Sequence, residues 1–279
     1  MNNTRSLRCA CPRIERICKA LYIFQLPKTP VAWKEISKTF EIDCNLPHCV
    51  GVLDGKHFCC RHQYIPEVIS TTTNPTLVFG RGMPRMVIRW RLFKNCKLYN
   101  MLSEDMLGLP LPEQLPRREM KIPYFFGADS EFPLCKNIMK PYPGDHASGS
   151  FKRIFNYQLS RTRRVVENTF SILSVVFRVL RKPMLLEFPK AELIVMAIIL
   201  LHNYLRNHSP TLYMPHGSLD HEENNVLNEG SLRSEVNTAS MIPLRNIPRR
   251  TPAVYHKIKD EVADYFMKEG AILWQNPYA

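Results

Sequence analysis

The sequence of 279 residues predicts a mixed α/β fold in which a sheet is flanked by helices. Two short apolar stretches, residues 48–54 and 122–127, have the composition of buried strands, and each is closely associated with an aspartate, Asp54 or Asp129. The longest helix candidate, residues 160–182, carries apolar residues at three- and four-residue steps, which is the period of one helix face.

Composition and charge restrict the function classes. Hydrophobic residues at 45% and charged residues at 23% are typical of a globular protein. The net charge of +13 favours a polyanionic partner, with nucleic acid before an anionic membrane. The longest apolar run, residues 193–201, is too short to cross a bilayer. Nine cysteines without a regular framework favour free thiols, so we expect a soluble protein of a reducing, intracellular compartment.

The chain is predicted to divide into four segments. They are a helical lead-in at 1–45, a main domain at 46–208 with an aberrant segment at 63–92, a polar variable loop at 209–250, and a C-terminal helix at 251–279 that packs back on the main domain. Within the aberrant segment, residues 86–90 are apolar enough for a strand, although nothing alternates cleanly.

Three amphipathic patterns supply the predicted helical core. In the lead-in, residues 33–40 form a helix with Trp33, Ile36 and Phe40 inward. The central helix has an apolar face of Val166, Phe170, Leu173, Val176, Phe177 and Leu180. The C-terminal helix has one of Val254, Ile258, Val262 and Phe266.

A polar stripe also follows the central helix, and it consists of Arg163, Glu167, Ser171, Ser174 and Arg178. Glu167 is the only acid in residues 160–182. One interpretation is a surface carboxylate that offsets arginines three and four residues away. The rest of the chain favours a functional role instead.

Three acids, Asp54, Asp129 and Glu167, lie on separate predicted elements. An acid just beyond a buried strand is typical of a binding site, although a helix N-cap explains Asp129 equally well and a turn explains Asp54. Three such carboxylates can hold two Mg²⁺ ions, which prefer oxygen ligands. Two ions about 4 Å apart would activate a water and stabilise the leaving oxygen in phosphodiester cleavage.

The residues around these acids resemble the three acid-bearing motifs of the PIF/Harbinger transposases and of the nucleases derived from them. The motifs read VGVLDGKH around Asp54, FFGADSEFPL around Asp129 and FNYQLSRTRRVVENTF around Glu167. Further similarity at residues 26–33, 139–142, 201–203 and 264–275 extends the resemblance over residues 14–275, apart from two gaps.

This resemblance implies a ribonuclease H-like mixed sheet flanked by helices, with Asp54, Asp129 and Glu167 as a DDE triad that holds Mg²⁺ or Mn²⁺ in a two-metal site. It implies endonucleolytic cutting of DNA in the nucleus, with the cytoplasm as a second compartment, and no membrane. A separate Myb-like protein would be the DNA-binding partner. The basic residues expected to contact the nucleic-acid backbone are Arg161, Arg163, Arg164 and Arg178.

The chain departs from the family in one region. Residues 71–92 are too short and too basic to supply the two strands that follow the first acid, so we expect a truncated β2–β3 hairpin and an exposed edge on the first-acid strand. A shifted reading frame or an altered splice would explain the change. Leu159 also replaces a usual histidine, and Ser171 a frequent glycine.

Two other interpretations stay open. Cysteines and histidines concentrate at Cys44, His48, Cys49, His57, Cys59, Cys60 and His62, but without the repeated C-x-x-C spacing of a zinc finger. The main alternative function is a domesticated transposase that is weakened or inactive as an enzyme and binds nucleic acid or serves as a scaffold. An intact triad argues against this alternative, and a damaged sheet argues for it.

Overall fold

The computed structural model describes residues 26–27, 29–60, 63–71, 77–80, 97–215, 217–218, 221–223, 226–231, 241–243, 251–272 and 275. Its helices are α1 Pro30–Cys44, α2 Lys97–Ser103, α3 Phe151–Val176, α4 Phe188–His208, α5 Pro210–Tyr213 and α6 Ala253–Met267, with a 3₁₀ turn at Arg178–Arg181. Its strands are β1 Cys49–Cys60, β2 Gln63–Thr71, β3 Leu77–Gly80, β4 Glu113–Gln114, β5 Lys121–Ile122, β6 Phe125–Ala128, β7 Ile138–Met139, β8 His221–Glu223, β9 Val226–Asn228 and β10 Met241–Pro243. The predicted strand at residues 86–90 lies outside these ranges.

The main sheet of the described chain has the strand order β3-β2-β1-β6-β7. Strands β1, β2 and β3 pair antiparallel, whereas β1, β6 and β7 pair parallel. Strand β10 pairs antiparallel with Lys56, His57 and Phe58 of β1, beyond the residues that β6 covers. The predicted mixed α/β class is confirmed.

The predicted exposed edge of the first-acid strand is wrong. Strand β2 pairs with β1 over nine residue pairs, from Val52–Thr71 to Cys60–Gln63. The prediction assigned the hairpin to residues 71–92, but its first strand forms upstream, where β-branched and aromatic residues favour an extended backbone. The outer strand β3 has four residues in register with β2, so this side of the hairpin is short.

Around β6 and the first residues of β1, the sheet is covered on both faces by apolar side chains. Neighbouring residues of β6 point to opposite faces, so Phe125 joins the core formed with α3, α4 and α6, and Phe126 joins the core on the other face. Helix α1 contributes to both, with Phe40 in the first core and Trp33 in the second. Trp33 packs edge-on against Phe126, with ring centroids 5.9 Å apart.

The central helix is longer at its N-terminus than predicted and ends earlier. Helix α3 begins at Phe151 because the Ser150 hydroxyl accepts a hydrogen bond from the amide of Arg153, which caps the first turn. It ends at Val176, and the chain continues as the 3₁₀ turn. Val176 is therefore exposed rather than part of the apolar face.

The segment predicted as a variable loop, residues 209–250, contains the short elements α5, β8, β9 and β10. Helix α6 buries Val262 and Phe266 as predicted, but Val254 in its first turn is exposed. No helix in the described ranges is both long enough and apolar enough to span a membrane.

Candidate active site

The parallel pairing of β1 and β6 places two of the predicted acids side by side. Leu53 and Ala128 are in register, so Asp54 and Asp129 occupy the next position on each strand. Asp54 lies within β1, not at a turn, because the strand continues to Cys60. Asp129 follows β6 and begins a turn instead of a helix, since its carboxylate accepts a hydrogen bond from the Glu131 amide.

Helix α3 approaches the same strands at a glycine. A side-chain Cβ at Gly127 would lie 3.0 Å from Leu159 Cδ1, so the absence of a side chain lets Leu159 pack closely on the strand. Arg163 and Glu167 follow Leu159 at four-residue steps, which places all three on one helix face. Leu159, which replaces the histidine usual in the resembled family, thus serves as a buried packing residue.

The three predicted acids converge on one arginine. Arg163 Nη2 lies 3.6 Å from an Asp54 carboxylate oxygen, 3.8 Å from one of Asp129 and 3.5 Å from one of Glu167. Any two of these oxygens are therefore at most twice 3.8 Å apart, within the limit of about 10 Å for carboxylates that share a metal cluster. The structure thus brings together three acids from distant parts of the sequence.

The electrostatic environment differs among the three acids. The side chain of Asp54 is 2% exposed and that of Asp129 16%, whereas Glu167 is 49% exposed. All three distances to Arg163 exceed the 2.7–2.9 Å or so of a charge-assisted hydrogen bond. Arg163 Nε is buried and has no hydrogen-bond partner among the described residues. One guanidinium is thus shared by three carboxylates and cannot neutralise them.

The donor set suits a hard divalent cation, although it is not arranged as a finished metal site. Carboxylate oxygens are the ligands that Mg²⁺ and Mn²⁺ prefer. Across the described ranges, no group of three or more His, Cys, Asp or Glu side chains is close enough to hold a metal ion as it stands. Arg163 Nη2 occupies the space on which the three acids converge. The three carboxylates suit a divalent metal ion provided that the Arg163 side chain moves out of the space between them.

Of the four arginines predicted to contact nucleic acid, only Arg163 is described in contact with the acids. Arg161 donates a hydrogen bond to the Gln158 side chain. Burial raises the pKa of the Cys44 thiol, and the charges of Arg161 and Arg164 act against that shift, so both lie near α1. Arg178 is exposed in the 3₁₀ turn. The role of Arg161, Arg164 and Arg178 in binding nucleic acid stays a prediction.

The residues weighed as a zinc cluster have other surroundings where the structure describes them. His48 Nδ1 lies 3.1 Å from the carbonyl oxygen of Ile122, and the ring stacks on Tyr124. Burial raises the pKa of the Cys49 thiol to about 12, so this thiol stays protonated and is a poor metal ligand. The side chains of His57, Cys59 and Cys60, and all of His62, lie outside the described part.

Sequence reasoning missed Lys140, which lies beside the second acid, and Lys259, a buried lysine whose charge interacts with that of Lys140. Lys140 Nζ donates a hydrogen bond to the carbonyl of Ser130, the residue after Asp129. Lys259 on α6 is 2% exposed, with its ammonium 3.6 Å above the Tyr142 ring. The motif at residues 139–142 was a signal for Lys140, but a lysine on an amphipathic helix gives no sign that it is buried.

Comparison with known proteins covers two of the three acids, Asp129 and Glu167. Residues 90–203 match the model of a DDE superfamily endonuclease domain. The match includes Asp129 and Glu167 but begins after Asp54. No curated protein and no solved structure matches the chain significantly. This part of the chain is thus similar to the class of DDE endonucleases, and the assignment of Asp54 rests on the strand pairing and on the distances to Arg163.

Proposed function

We propose that this chain is a divalent-metal-dependent DNA endonuclease of transposase origin, related to the PIF/Harbinger group and built on a ribonuclease H-like sheet. The convergence of Asp54, Asp129 and Glu167 within 3.8 Å of one arginine nitrogen carries the proposal. The similarity of residues 90–203 to DDE endonucleases supports the reaction class. The paired hairpin beside the first-acid strand supports the proposed fold.

The three acids share one role in this proposal and differ in how the fold holds them. Asp54, Asp129 and Glu167 would hold Mg²⁺ or Mn²⁺, which supplies an activated water and stabilises the leaving oxygen of the phosphodiester. Asp54 is buried in β1, which pairs with strands on both sides, so its position is fixed by the sheet. Glu167 is half exposed on α3 and faces the solvent side, where DNA would enter.

The DNA would be held by charge. The net charge of +13 provides a sequence-independent attraction to the phosphate backbone. Arg161, Arg164 and Arg178 belong to the same helix and the turn after it, so they are the proposed backbone contacts. Nuclear localisation and a Myb-like partner that selects the DNA sequence complete the proposal.

The test is relaxation of a supercoiled plasmid by the purified chain with Mg²⁺, with Mn²⁺ and with EDTA. We expect nicking with either metal and none with EDTA. Asp54→Asn and Asp129→Asn should each lower the rate by at least about 100-fold, because the oxygen charge that binds metal is lost. Asp105→Asn is the control, since its exposed carboxylate pairs with Lys136 away from the site.

Two results would argue against the proposed function. Nicking that persists in EDTA, or that survives both aspartate substitutions, would rule out a carboxylate metal centre as its source. DNA binding without any metal-dependent cutting would favour the non-enzymatic alternative. Circular dichroism of each variant separates loss of catalysis from loss of folding.

A further inference from the structure

We infer that Arg163 is the counter-ion of the Asp54, Asp129 and Glu167 carboxylates in the metal-free chain, and that a divalent metal ion displaces it on binding. This inference rests on the proposed metal site. The arginine and the metal ion thus compete for one position. The side chain that sequence analysis assigned to DNA contact lies instead where a cation is needed among Asp54, Asp129 and Glu167.

The need for a cation follows from burial and like charge. Asp54 and Asp129 are 2% and 16% exposed, and both approach the same nitrogen. Carboxylates this close repel one another strongly where water is largely excluded. A positive charge between them offsets this repulsion. In the described chain, Arg163 is the cation found within ion-pair distance of all three acids.

The way Arg163 is held makes exchange inexpensive. Its distances of 3.5–3.8 Å to the acids are those of ion pairs without short hydrogen bonds, whereas a bidentate arginine–carboxylate pair would be tighter. Its Nε has no hydrogen-bond partner to lose in the described chain. The side chain is 20% exposed, so it already reaches solvent and has a path out of the site.

Charge also favours the exchange. One guanidinium carries a single positive charge against three carboxylates, and a divalent ion carries more charge in a smaller volume. Metal oxygen bonds are also shorter, at about 2.0–2.1 Å for Mg²⁺. To hold such an ion, Asp54, Asp129 and Glu167 would have to move closer together than they stand around the larger guanidinium. This accounts for three acids that converge without forming a finished metal site.

The experiment measures Mn²⁺ binding by isothermal titration calorimetry to the parent, Arg163→Gln, Arg163→Lys and Arg153→Gln. Removal of the competing charge in Arg163→Gln should tighten Mn²⁺ binding by about tenfold. Arg163→Lys keeps a competing cation and should stay near the parent affinity. Arg153→Gln is the matched control, because Arg153 lies earlier on α3 and its guanidinium bonds the His146 carbonyl.

A second measurement, thermal unfolding, does not depend on activity. In EDTA, Arg163→Gln should unfold at a lower temperature than the parent, because the three acids lose the positive charge of Arg163. With Mn²⁺ it should gain more stability than the parent gains. Arg153→Gln should match the parent both in its unfolding temperature in EDTA and in the stability that it gains with Mn²⁺. Equal stability of parent and Arg163→Gln in EDTA would contradict the counter-ion role.

The outcomes separate this inference from the proposed function. Suppose that the parent binds Mn²⁺ more tightly than Glu167→Gln does, but Arg163→Gln binds it no more tightly than the parent. The inference is then wrong and the metal site stands. If neither the parent nor Arg163→Gln binds Mn²⁺, the proposed metal site fails and the inference falls with it. Tighter binding by Arg163→Gln together with its loss of stability in EDTA would support both.

Discussion

The carboxylates of Asp54, Asp129 and Glu167 differ in their exposure to solvent. Asp54 is almost completely buried on a strand paired on both sides, whereas the Glu167 side chain is half exposed on a helix. A change at Asp54 therefore affects folding and function together, because a buried polar group needs its surroundings intact. A change at Glu167 separates the two, so Glu167 is the most informative of the three acids.

Glu167→Gln should abolish metal-dependent nicking and leave folding nearly unchanged. Glutamine keeps the volume and the helix propensity of glutamate but lacks the charge that metal binding needs. We expect the free energy of unfolding to change by less than about 0.5 kcal/mol, as at most exposed sites.

Plasmid nicking and urea unfolding test the Glu167 prediction, and Glu187→Gln is its matched control. Glu187 is also an exposed acid in a short-range ion pair, with Lys190. If Glu167→Gln cuts DNA as fast as Glu187→Gln, then Glu167 is only a surface ion-pair residue and the triad is assigned wrongly.

Lys259 should make the stability depend on pH. Burial lowers the pKa of Lys259 to about 7, and the nearby charge of Lys140 adds to this effect. Between about pH 7 and the ordinary lysine value, the unfolded chain binds the proton and the folded chain does not. The contribution of Lys259 to stability therefore rises with pH through this window and is least favourable below it.

Lys259→Met tests this pH dependence. At pH 6 we expect the variant to be more stable than the parent by about 2 kcal/mol, because it removes a buried charge. At pH 9 the difference should be clearly smaller, since Lys259 is then largely neutral in the folded parent. Urea unfolding at both values measures this, and an equal difference at pH 6 and pH 9 would show that Lys259 stays charged, held by the Tyr142 ring.

At the scale of elements, the contact between β6 and α3 determines how close Glu167 lies to Asp54 and Asp129. Gly127 lets Leu159 approach the strand, and Arg163 and Glu167 lie one and two turns further along the helix. The strand pair fixes Asp54 and Asp129 through its register. The distance between sheet and helix therefore decides whether the three acids can act together.

Gly127→Val should push α3 away from β6. Even a single Cβ would lie 3.0 Å from Leu159 Cδ1, and valine adds two methyl groups beyond it. We expect a loss of about 1–3 kcal/mol in the free energy of unfolding, which is typical of overpacked cores, and weaker Mn²⁺ binding. Leu159→Ala should recover part of that loss in the double variant. Strictly additive effects of the two substitutions would show that this contact does not set the helix position.

The sequence allowed part of this site to be predicted. The helical period placed Arg163 and Glu167 on one face, and the ordered motifs singled out Asp54 and Asp129. The order of the motifs predicted Asp54 and Asp129 on neighbouring strands, but the register that aligns Leu53 with Ala128 was not predictable, because the pattern of one strand does not specify its partner residues. The i,i+4 spacing indicated an ion pair between Arg163 and Glu167, but not that Arg163 also reaches two acids on other elements.

At the scale of the whole molecule, both faces of the sheet are covered around β6, and the site lies where β6 ends beside the middle of β1. The segment thought to be damaged supplies β2, which pairs along β1, and residues 241–243 supply β10 beyond β6. Sequence reasoning missed both strands, because Pro66 interrupts one and the other lies in a polar segment without periodicity.

The basic surface predicts DNA binding that depends steeply on salt. With a net charge of +13, binding to a DNA duplex should weaken linearly with salt on logarithmic axes. Arg178→Gln should lower the slope by about 1, if its exposed guanidinium replaces one counter-ion on the backbone. Lys136→Gln is the control, since that lysine already pairs with Asp105. An unchanged slope in Arg178→Gln, measured by fluorescence anisotropy, would remove Arg178 from the interface.

The most direct test of the central claim is to map where a bound metal ion lies in the folded chain. Fe²⁺ with ascorbate and peroxide generates hydroxyl radicals at the ion, and mass spectrometry locates the backbone cuts. If Asp54, Asp129 and Glu167 hold one metal centre, cuts should occur near all three residues, disappear in Glu167→Gln and be suppressed by excess Mg²⁺. Cuts near only one of the three acids, or cuts that excess Mg²⁺ leaves unchanged, would contradict a shared metal site.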